Sequence, residues 1–237
     1  MVIGHILIIG EAKCGTSSMY KYLTQHPRIM PAVRQNPSSK HVGATNYFNT
    51  VRTPNLEDYN KRLTTREGES FGCDVSPSYF RTAGVAERVR SLLPHPFLIL
   101  MLREPAERIY SNYWMNLRQG VERGSFEEVI ENGYLRSPTT RYTKNLWRWY
   151  EHFSPSSLLI IKSEAFFEQP KETVTEVLKS FGMEWAEIDD WAPVVPHGDG
   201  KPQEHYPPMK PETRDFLNGY FKTEKEKLYH MTGLRWP

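Results

Sequence analysis

Residues 6–18 read Ile-Leu-Ile-Ile-Gly-Glu-Ala-Lys-Cys-Gly-Thr-Ser-Ser, and they are the most informative part of the chain. Four apolar residues predict a short buried strand, and a loop bounded by two glycines follows it directly. Met19, Tyr22 and Leu23 then recur at the spacing of a helix. Backbone N–H groups at a strand-to-helix turn point outward and the helix dipole adds positive charge. The stretch therefore predicts an anion-binding loop.

The position of the lysine separates two interpretations of this loop. The common triphosphate-binding loop has glycine, four residues, and then Gly-Lys-Ser/Thr. Gly10 and Gly15 keep that glycine spacing, but Thr16 occupies the lysine position and Lys13 lies inside the loop. The pattern favours an anion other than the usual nucleoside triphosphate.

The chain length is typical of one α/β domain spanning residues 1–237, with two very small domains as the alternative. The net charge of +2 is small and the basic residues are spread along the chain, so we expect no nucleic-acid partner. The apolar runs are too short to cross a membrane, so we expect no membrane partner. The spacing of Cys14 and Cys73 is typical of neither a disulfide framework nor a metal site. We expect reduced thiols and a cytoplasmic protein, or the soluble part of a longer one.

Strands and helices alternate along the chain. Continuous apolar runs at residues 6–9, 97–102 and 158–161, with a weaker one at 71–75, predict strands buried on both faces. Four to five such strands with helices on both faces give a parallel α/β sheet of the P-loop type, which binds ligands beyond the carboxyl ends of its strands.

Helical spacing and proline content divide the rest of the chain. Helices are predicted after Pro105, around residues 142–153 and 174–181, and from residue 211 to about 231. In the last helix Phe216, Leu217, Tyr220, Phe221 and Leu228 are predicted to face inward. Residues 31–63 and 185–211 are polar or proline-rich, which favours substrate loops over simple connections.

A second anion site is predicted after the strand at residues 97–102. Arg103 stands at its carboxyl end, and Ser111 follows about two helical turns later. A guanidinium fork and a hydroxyl can hold one phosphate from two sides. The alternative is an ordinary ion pair of Arg103 with Glu104 or Glu107.

Together, the two motifs resemble the sulfotransferase family, which uses 3′-phosphoadenosine 5′-phosphosulfate (PAPS) as donor. Arg103 and Ser111 match an Arg-x-x-Pro-x-x-Arg-x-x-Ser-x-Tyr pattern, with the proline one residue early. The resemblance is closest to the heparan-sulfate type of carbohydrate enzymes and their bacterial relatives, and it spans nearly the whole chain. Further matches are His26-Pro27, residues 74–80, residues 142–147, Ser163-Glu164, Phe181-Gly182 and residues 207–209.

The resemblance implies a role for each loop. The 5′-phosphosulfate would be held by Lys13, Cys14, Gly15, Thr16, Ser17 and Ser18. Arg103 and Ser111 would bind the 3′-phosphate, and Lys201 stands where relatives return a basic residue to the nucleotide. A lysine in the cradle can neutralise the charge that develops on the leaving phosphate. This chemistry needs no metal, the product is PAP, and the acceptor is a hydroxyl of a small molecule or glycan, with an amine as the alternative.

The general base is left with two candidates. Carbohydrate-type relatives often carry a Lys-Glu pair after the first helix, but residues 31–41 contain no glutamate. His41, next to Lys40, is one candidate because histidine titrates near neutral pH. Asp74 is the other; alternatively, it only hydrogen-bonds the turn at Ser76 and Pro77.

Two rival functions remain open from the sequence. A P-loop kinase is disfavoured because Thr16 replaces its lysine and no apolar strand ends in a clear magnesium-binding aspartate. A non-catalytic nucleotide-binding or interaction protein is the second rival, and the missing Lys-Glu pair keeps it open.

Overall fold

The computed structural model describes most of the chain. The described residues are 2–33, 43–64, 70–136, 141–185, 188, 192, 194 and 206–236. They form two compact units: Met1–Leu102 with Arg148–Gln203, and Arg103–Trp147 with Glu204–Pro237. The prediction of a single domain over residues 1–237 stays a prediction.

A five-stranded sheet forms the centre of the first unit. Its strands are β1 (Val2–Gly10), β2 (Ile29–Pro31), β3 (Ser70–Val75), β4 (Phe97–Leu102) and β5 (Leu158–Lys162). The strand order is β2-β3-β1-β4-β5, and every neighbouring pair is parallel. The predicted P-loop type of α/β fold is confirmed.

The register brings the ends of the central strands together. Ile8 of β1 lies opposite Val75 on one side and Ile99 on the other. The carboxyl ends of β1, β3 and β4 therefore lie at one edge of the sheet, where parallel sheets bind their ligands. Gly10, the last residue of β1, leads into the predicted anion loop at this edge.

Ten helices lie in the described part of the chain. They are α1 (Thr16–Leu23), α2 (Tyr47–Thr50), α3 (Leu56–Asn60), α4 (Val85–Leu92), α5 (Pro105–Arg118), α6 (Phe126–Glu131), α7 (Tyr142–Tyr150), α8 (Ser163–Glu168), α9 (Pro170–Ser180) and α10 (Pro211–Thr232). Short 3₁₀ helices cover Tyr134–Arg136 and Pro155–Ser157.

Strand residues alternate between two apolar layers in the first unit. Ile6 and Ile8 pack in a core with Leu23 of α1 and Leu178 of α9. Leu7 and Ile9 point to the opposite face of the pleated strand and are also fully buried. Burial on both faces explains why these strands read as continuous apolar runs.

The second unit has its own core around α5. Ile109, Tyr110 and Tyr113 pack against Phe126 of α6 and Phe221 of α10. The amino end of α6 is fixed by a capping box, in which Ser125 and Glu128 bond each other's backbone N–H groups.

Three features differ from the sequence-based predictions. The three-residue strand β2 was not predicted, because so short a run carries no periodicity. Residues 31–63, predicted to be irregular, contain the short helices α2 and α3. Phe216 and Tyr220 were predicted to face inward, which is wrong: they are 56% and 49% exposed, whereas Leu217 and Phe221 are buried. The buried face of α10 is therefore narrower than the apolar spacing in its sequence predicts.

Among the helices in the described ranges, none is both long and apolar enough to cross a membrane.

Candidate active site

The predicted anion loop connects β1 to α1 in a tight turn. Lys13 has φ 72° and Gly15 has φ 87°, so both adopt the left-handed backbone region. Only glycine enters this region without steric cost, and Lys13 is therefore held there by its surroundings. The Lys13 side chain is half-buried.

Backbone N–H groups at the start of α1 are oriented for an anion. The first intrahelical bond runs from the N–H of Met19 to the carbonyl of Gly15, so the N–H groups of Thr16, Ser17 and Ser18 precede it. Within the described ranges no side chain caps this helix end, and its first turn contains no acidic residue. Phosphate and sulfate suit such a helix end.

Glu11 organises the loop from within. Its side chain is fully buried, and its Oε1 accepts hydrogen bonds from the N–H of Ala12 at 2.7 Å and from Arg81 Nη1 at 2.5 Å. Its own N–H donates to the carbonyl of Met101 in β4, and its carbonyl accepts from the N–H of Cys14. The loop is thereby tied to β4 and to the segment after β3.

The carboxyl end of the loop rests on α8. The hydroxyl of Ser163 donates to the carbonyl of Cys14 at 2.8 Å. A Cβ atom built on Gly15 would lie 2.9 Å from Cζ of Phe167, a ring that is 46% exposed. The glycine is therefore required both for its backbone conformation and for this close approach.

The second predicted anion site starts the second unit. Arg103 Nη2 lies 3.4 Å from Glu107 Oε2, and Arg214 Nη2 lies 2.6 Å from Glu107 Oε1. The hydroxyl of Tyr142 donates to the carbonyl of Arg103 at 3.1 Å. The ion pair proposed as the alternative role of Arg103 is thus present, but it is long and its carboxylate is shared with Arg214.

Helix α5 places Ser111 on the same segment as Arg103. Glu104 caps this helix by accepting from the N–H of Glu107 at 2.8 Å. Ser111 lies about two turns further along and is mostly buried. Arg103 itself is partly exposed, so it can contact a ligand.

Asp74, a candidate base, is fully buried at the end of β3. It accepts hydrogen bonds from the hydroxyls of Thr45 at 2.6 Å, Ser76 at 2.7 Å, Tyr79 at 2.9 Å and Tyr59 at 3.3 Å. The N–H of Thr45 adds a fifth bond at 3.1 Å. Burial raises the pKa of Asp74, and the bonds from Thr45 and Ser76 offset part of that rise. The network supports the structural alternative, in which Asp74 holds the turn after β3.

Two predicted site residues cannot be placed. His41 and Lys201 lie outside the described residues. Among the residues that are described, no group of histidine, cysteine and acidic side chains could hold a metal ion.

Sequence reasoning missed Glu11 and Arg81 as parts of the site. Glu11 was visible inside the loop, but no sequence motif marks an acidic residue as part of an anion site. Arg81 lies 70 residues further along and meets Glu11 only because β1 and β3 are neighbours in the sheet.

Comparison with known proteins decides the family. The sulfotransferase domain family matches residues 4–191, which include β1 from Gly4 onward, β2 to β5 and the anion loop. The chain belongs to the sulfotransferase family. The resemblance inferred from the two motifs is confirmed, and the kinase alternative is not favoured.

Curated relatives of this sulfotransferase domain are larger proteins. The mouse bifunctional heparan sulfate N-deacetylase/N-sulfotransferase 4 is 28% identical over 98% of the chain, and the human N-deacetylase/N-sulfotransferase 3 is also 28% identical over 98%. In each case the match covers 30% of the relative. Mouse heparan sulfate glucosamine 3-O-sulfotransferase 5 is 26% identical over 69% of the chain and 49% of its own length. The chain thus spans about a third to a half of these relatives.

Solved structures of sulfotransferases share the fold. The sulfotransferase from Alicyclobacillus acidocaldarius has a TM-score of 0.72 at 24% identity, covering 99% of this chain and 97% of the other. The sulfotransferase domain of the curacin biosynthetic pathway has a TM-score of 0.53 at 15% identity, covering 92% of this chain and 97% of the other.

Proposed function

We propose that this chain transfers a sulfuryl group from PAPS to a carbohydrate acceptor and releases PAP. The observation that carries the proposal is the anion loop: Lys13 precedes the N–H donors at the start of α1, which no side chain of the described residues caps, within a chain of the sulfotransferase family. A hydroxyl acceptor is the first choice. The names of the relatives include both an N- and an O-sulfotransferase, so an amine is the alternative.

Each anion site has its own role in this proposal. The loop from Lys13 to Ser18 binds the 5′-phosphosulfate through backbone N–H groups and hydroxyls. Arg103 and Ser111 bind the 3′-phosphate, and Lys201 supplies a further positive charge to the nucleotide.

The chemical step is a single inline displacement. The acceptor oxygen forms a bond to sulfur while the bond from sulfur to the 5′-phosphate oxygen breaks, and the acceptor proton passes to a base. In this proposal Lys13 neutralises the charge on the leaving phosphate, which stabilises the transition state. No step requires a metal ion.

We propose His41 as the base. The five hydrogen bonds and complete burial of Asp74 support a structural role for that carboxylate. Histidine side chains generally titrate near pH 6.5, which suits proton abstraction at neutral pH.

Ligand-dependent thermal unfolding tests the proposal. We expect 3′,5′-adenosine bisphosphate to raise the Tm without magnesium, whereas ATP with magnesium leaves it nearly unchanged. Transfer of labelled sulfate from PAPS is then measured on glucosamine oligosaccharides with free or acetylated amines. Stabilisation by magnesium-ATP alone would overturn the assignment, and binding without transfer to any acceptor would identify a binding protein.

A cytoplasmic location is part of the proposal. It is supported by Cys14 and Cys73, which are both buried and form no disulfide in the described structure. Cell fractionation with a tagged full-length protein would test it.

A further inference from the structure

Glu11 bonds to the backbone on both sides of Lys13. Its carboxylate accepts from the N–H of Ala12 at 2.7 Å, and its carbonyl accepts from the N–H of Cys14 at 3.2 Å. Its own N–H donates to Met101 of β4 at 2.8 Å, so Glu11 is itself anchored to the sheet. Glu11 therefore bonds the Lys13–Cys14 peptide group directly and holds the backbone N–H of Ala12, the residue before the lysine.

Lys13 needs such support because its backbone is strained. A lysine with φ 72° occupies a region that non-glycine residues rarely adopt. Strained conformations persist only when surrounding contacts over-determine them. The two bonds to Glu11 are contacts of this kind, and they lie within one residue of Lys13 on each side.

The charge of Glu11 is compensated by Arg81. A fully buried carboxylate beside a phosphosulfate would repel that ligand if no cation neutralised it. Arg81 Nη1 lies 2.5 Å from Glu11 Oε1, and the Arg81 side chain is 30% exposed. The carbonyl of Arg81 in turn accepts from Arg148 Nη1 at 3.3 Å. Arg81 thus pairs with a buried carboxylate of the loop while part of its own side chain stays exposed to solvent.

We propose that the Glu11–Arg81 ion pair positions Lys13 for sulfuryl transfer. Both are positioning residues: the pair fixes the left-handed conformation that aims the Lys13 ammonium, and Arg81 removes the repulsion between Glu11 and the donor. This inference rests on the proposed sulfotransferase function.

Kinetics of Glu11→Gln and Arg81→Met test the pair, alone and combined with Lys13→Ala. Because a misplaced catalytic group lowers the rate by up to about 100-fold, we expect kcat to fall about 10-fold in Glu11→Gln and about 100-fold in Arg81→Met. The Kd of 3′,5′-adenosine bisphosphate should change less than about threefold in Glu11→Gln and rise by more than that in Arg81→Met, which leaves the Glu11 charge uncompensated, and Arg81→Lys should restore part of kcat. In the Lys13→Ala background both substitutions should lower single-turnover rates by less than about twofold, since the lysine they position is absent.

Amide hydrogen exchange gives a second readout that does not depend on turnover. The N–H groups of Ala12 and Cys14 should exchange faster in both variants, because their acceptor residue is loosened. Val177→Ala, which removes methyl groups from the core of α9, is the matched control. It should lower the Tm while leaving kcat and the exchange of the loop unchanged.

The outcomes separate this inference from the proposed function. If wild-type protein neither binds 3′,5′-adenosine bisphosphate nor transfers sulfate, the proposed function fails. If wild-type protein is active and the Glu11 and Arg81 variants lower kcat equally with and without Lys13, the pair acts independently of Lys13 and the inference is wrong.

Discussion

The hydroxyl of Ser163 donates a 2.8 Å hydrogen bond to the carbonyl of Cys14, which lies 149 residues earlier in the chain. The carbonyl and the following N–H of a trans peptide point in opposite directions. Since Ser163 holds the Cys14 carbonyl on one side, the N–H of Gly15 points away from it. Helix α8 thus sets the orientation of a donor in the anion loop.

Replacing Gly15 tests this local geometry. Gly15→Ala should lose about 1–2 kcal/mol of stability, because alanine is disfavoured at φ 87°, and its methyl group would displace the Phe167 ring. The affinity for 3′,5′-adenosine bisphosphate should fall as well. Urea unfolding and calorimetric titration measure the two effects.

Gly120→Ala is the control for that substitution. Gly120 has φ 70°, and no atom of the described residues lies within 4 Å of a Cβ built there. Gly120→Ala should therefore show only the stability cost of the backbone conformation, with unchanged nucleotide affinity. A Gly15→Ala protein that binds the nucleotide as tightly as wild type would contradict the role of this loop.

Lys13→Ala should lower turnover far more than donor affinity. The ammonium is proposed to act on charge that develops only in the transition state, so kcat should fall by about 100-fold or more. The Kd of 3′,5′-adenosine bisphosphate should rise by only about fivefold or less. Lys21→Ala, in the last turn of α1, is the matched control and should leave kcat and the Kd unchanged. Equal losses in kcat and affinity would contradict the leaving-group role.

Arg103→Ala should discriminate between nucleotides. Loss of a charged hydrogen bond of about 1.5–3 kcal/mol should weaken 3′,5′-adenosine bisphosphate by about 10- to 100-fold. Affinity for 5′-AMP, which lacks the 3′-phosphate, should stay the same.

The neighbouring arginine provides the control for Arg103. Arg214 pairs with the other oxygen of Glu107 and is partly exposed. Arg214→Ala removes the same charge from the same unit, yet should leave both affinities within about twofold. If Arg103→Ala weakens both nucleotides equally, Arg103 does not bind the 3′-phosphate.

Asp74→Asn should destabilise the fold and change its pH dependence. An amide cannot accept all five hydrogen bonds, so we expect a loss of about 3 kcal/mol or more. Burial raises the pKa of Asp74 in the folded state, so the folded protein binds a proton more tightly than the unfolded chain. The contribution of Asp74 to stability is therefore lost as pH rises from about 3.8 through the raised folded pKa.

Urea unfolding between about pH 3.5 and 7 measures this effect as the difference between wild type and Asp74→Asn. The pH dependence of the free energy of unfolding that Asp74 causes should be absent in Asp74→Asn. A variant of wild-type stability with abolished turnover would instead show Asp74 acting as the base.

Four of the five strands and the two predicted phosphate motifs could be identified from the sequence. The central strands β1 and β4 are buried on both faces, so their apolar runs are local and continuous. The glycine spacing around Lys13 and the segment from Arg103 to Ser111 are also local, and each motif can be identified from fewer than ten residues. Reliance on local periodicity also explains the error in α10. Phe216 and Tyr220 fit the helical period and were predicted to face inward, but they are exposed.

Only the tertiary structure decided how the loop is held. The partners of the loop come from distant positions: Arg81 for Glu11, and Ser163 for Cys14. Asp74 likewise gained a structural role through Thr45 and Tyr79, which no motif connects to it. The strand order of the sheet brings such distant residues together. One hydrogen bond or ion pair needs only a single residue at each end, so these contacts produce no periodic pattern in the sequence.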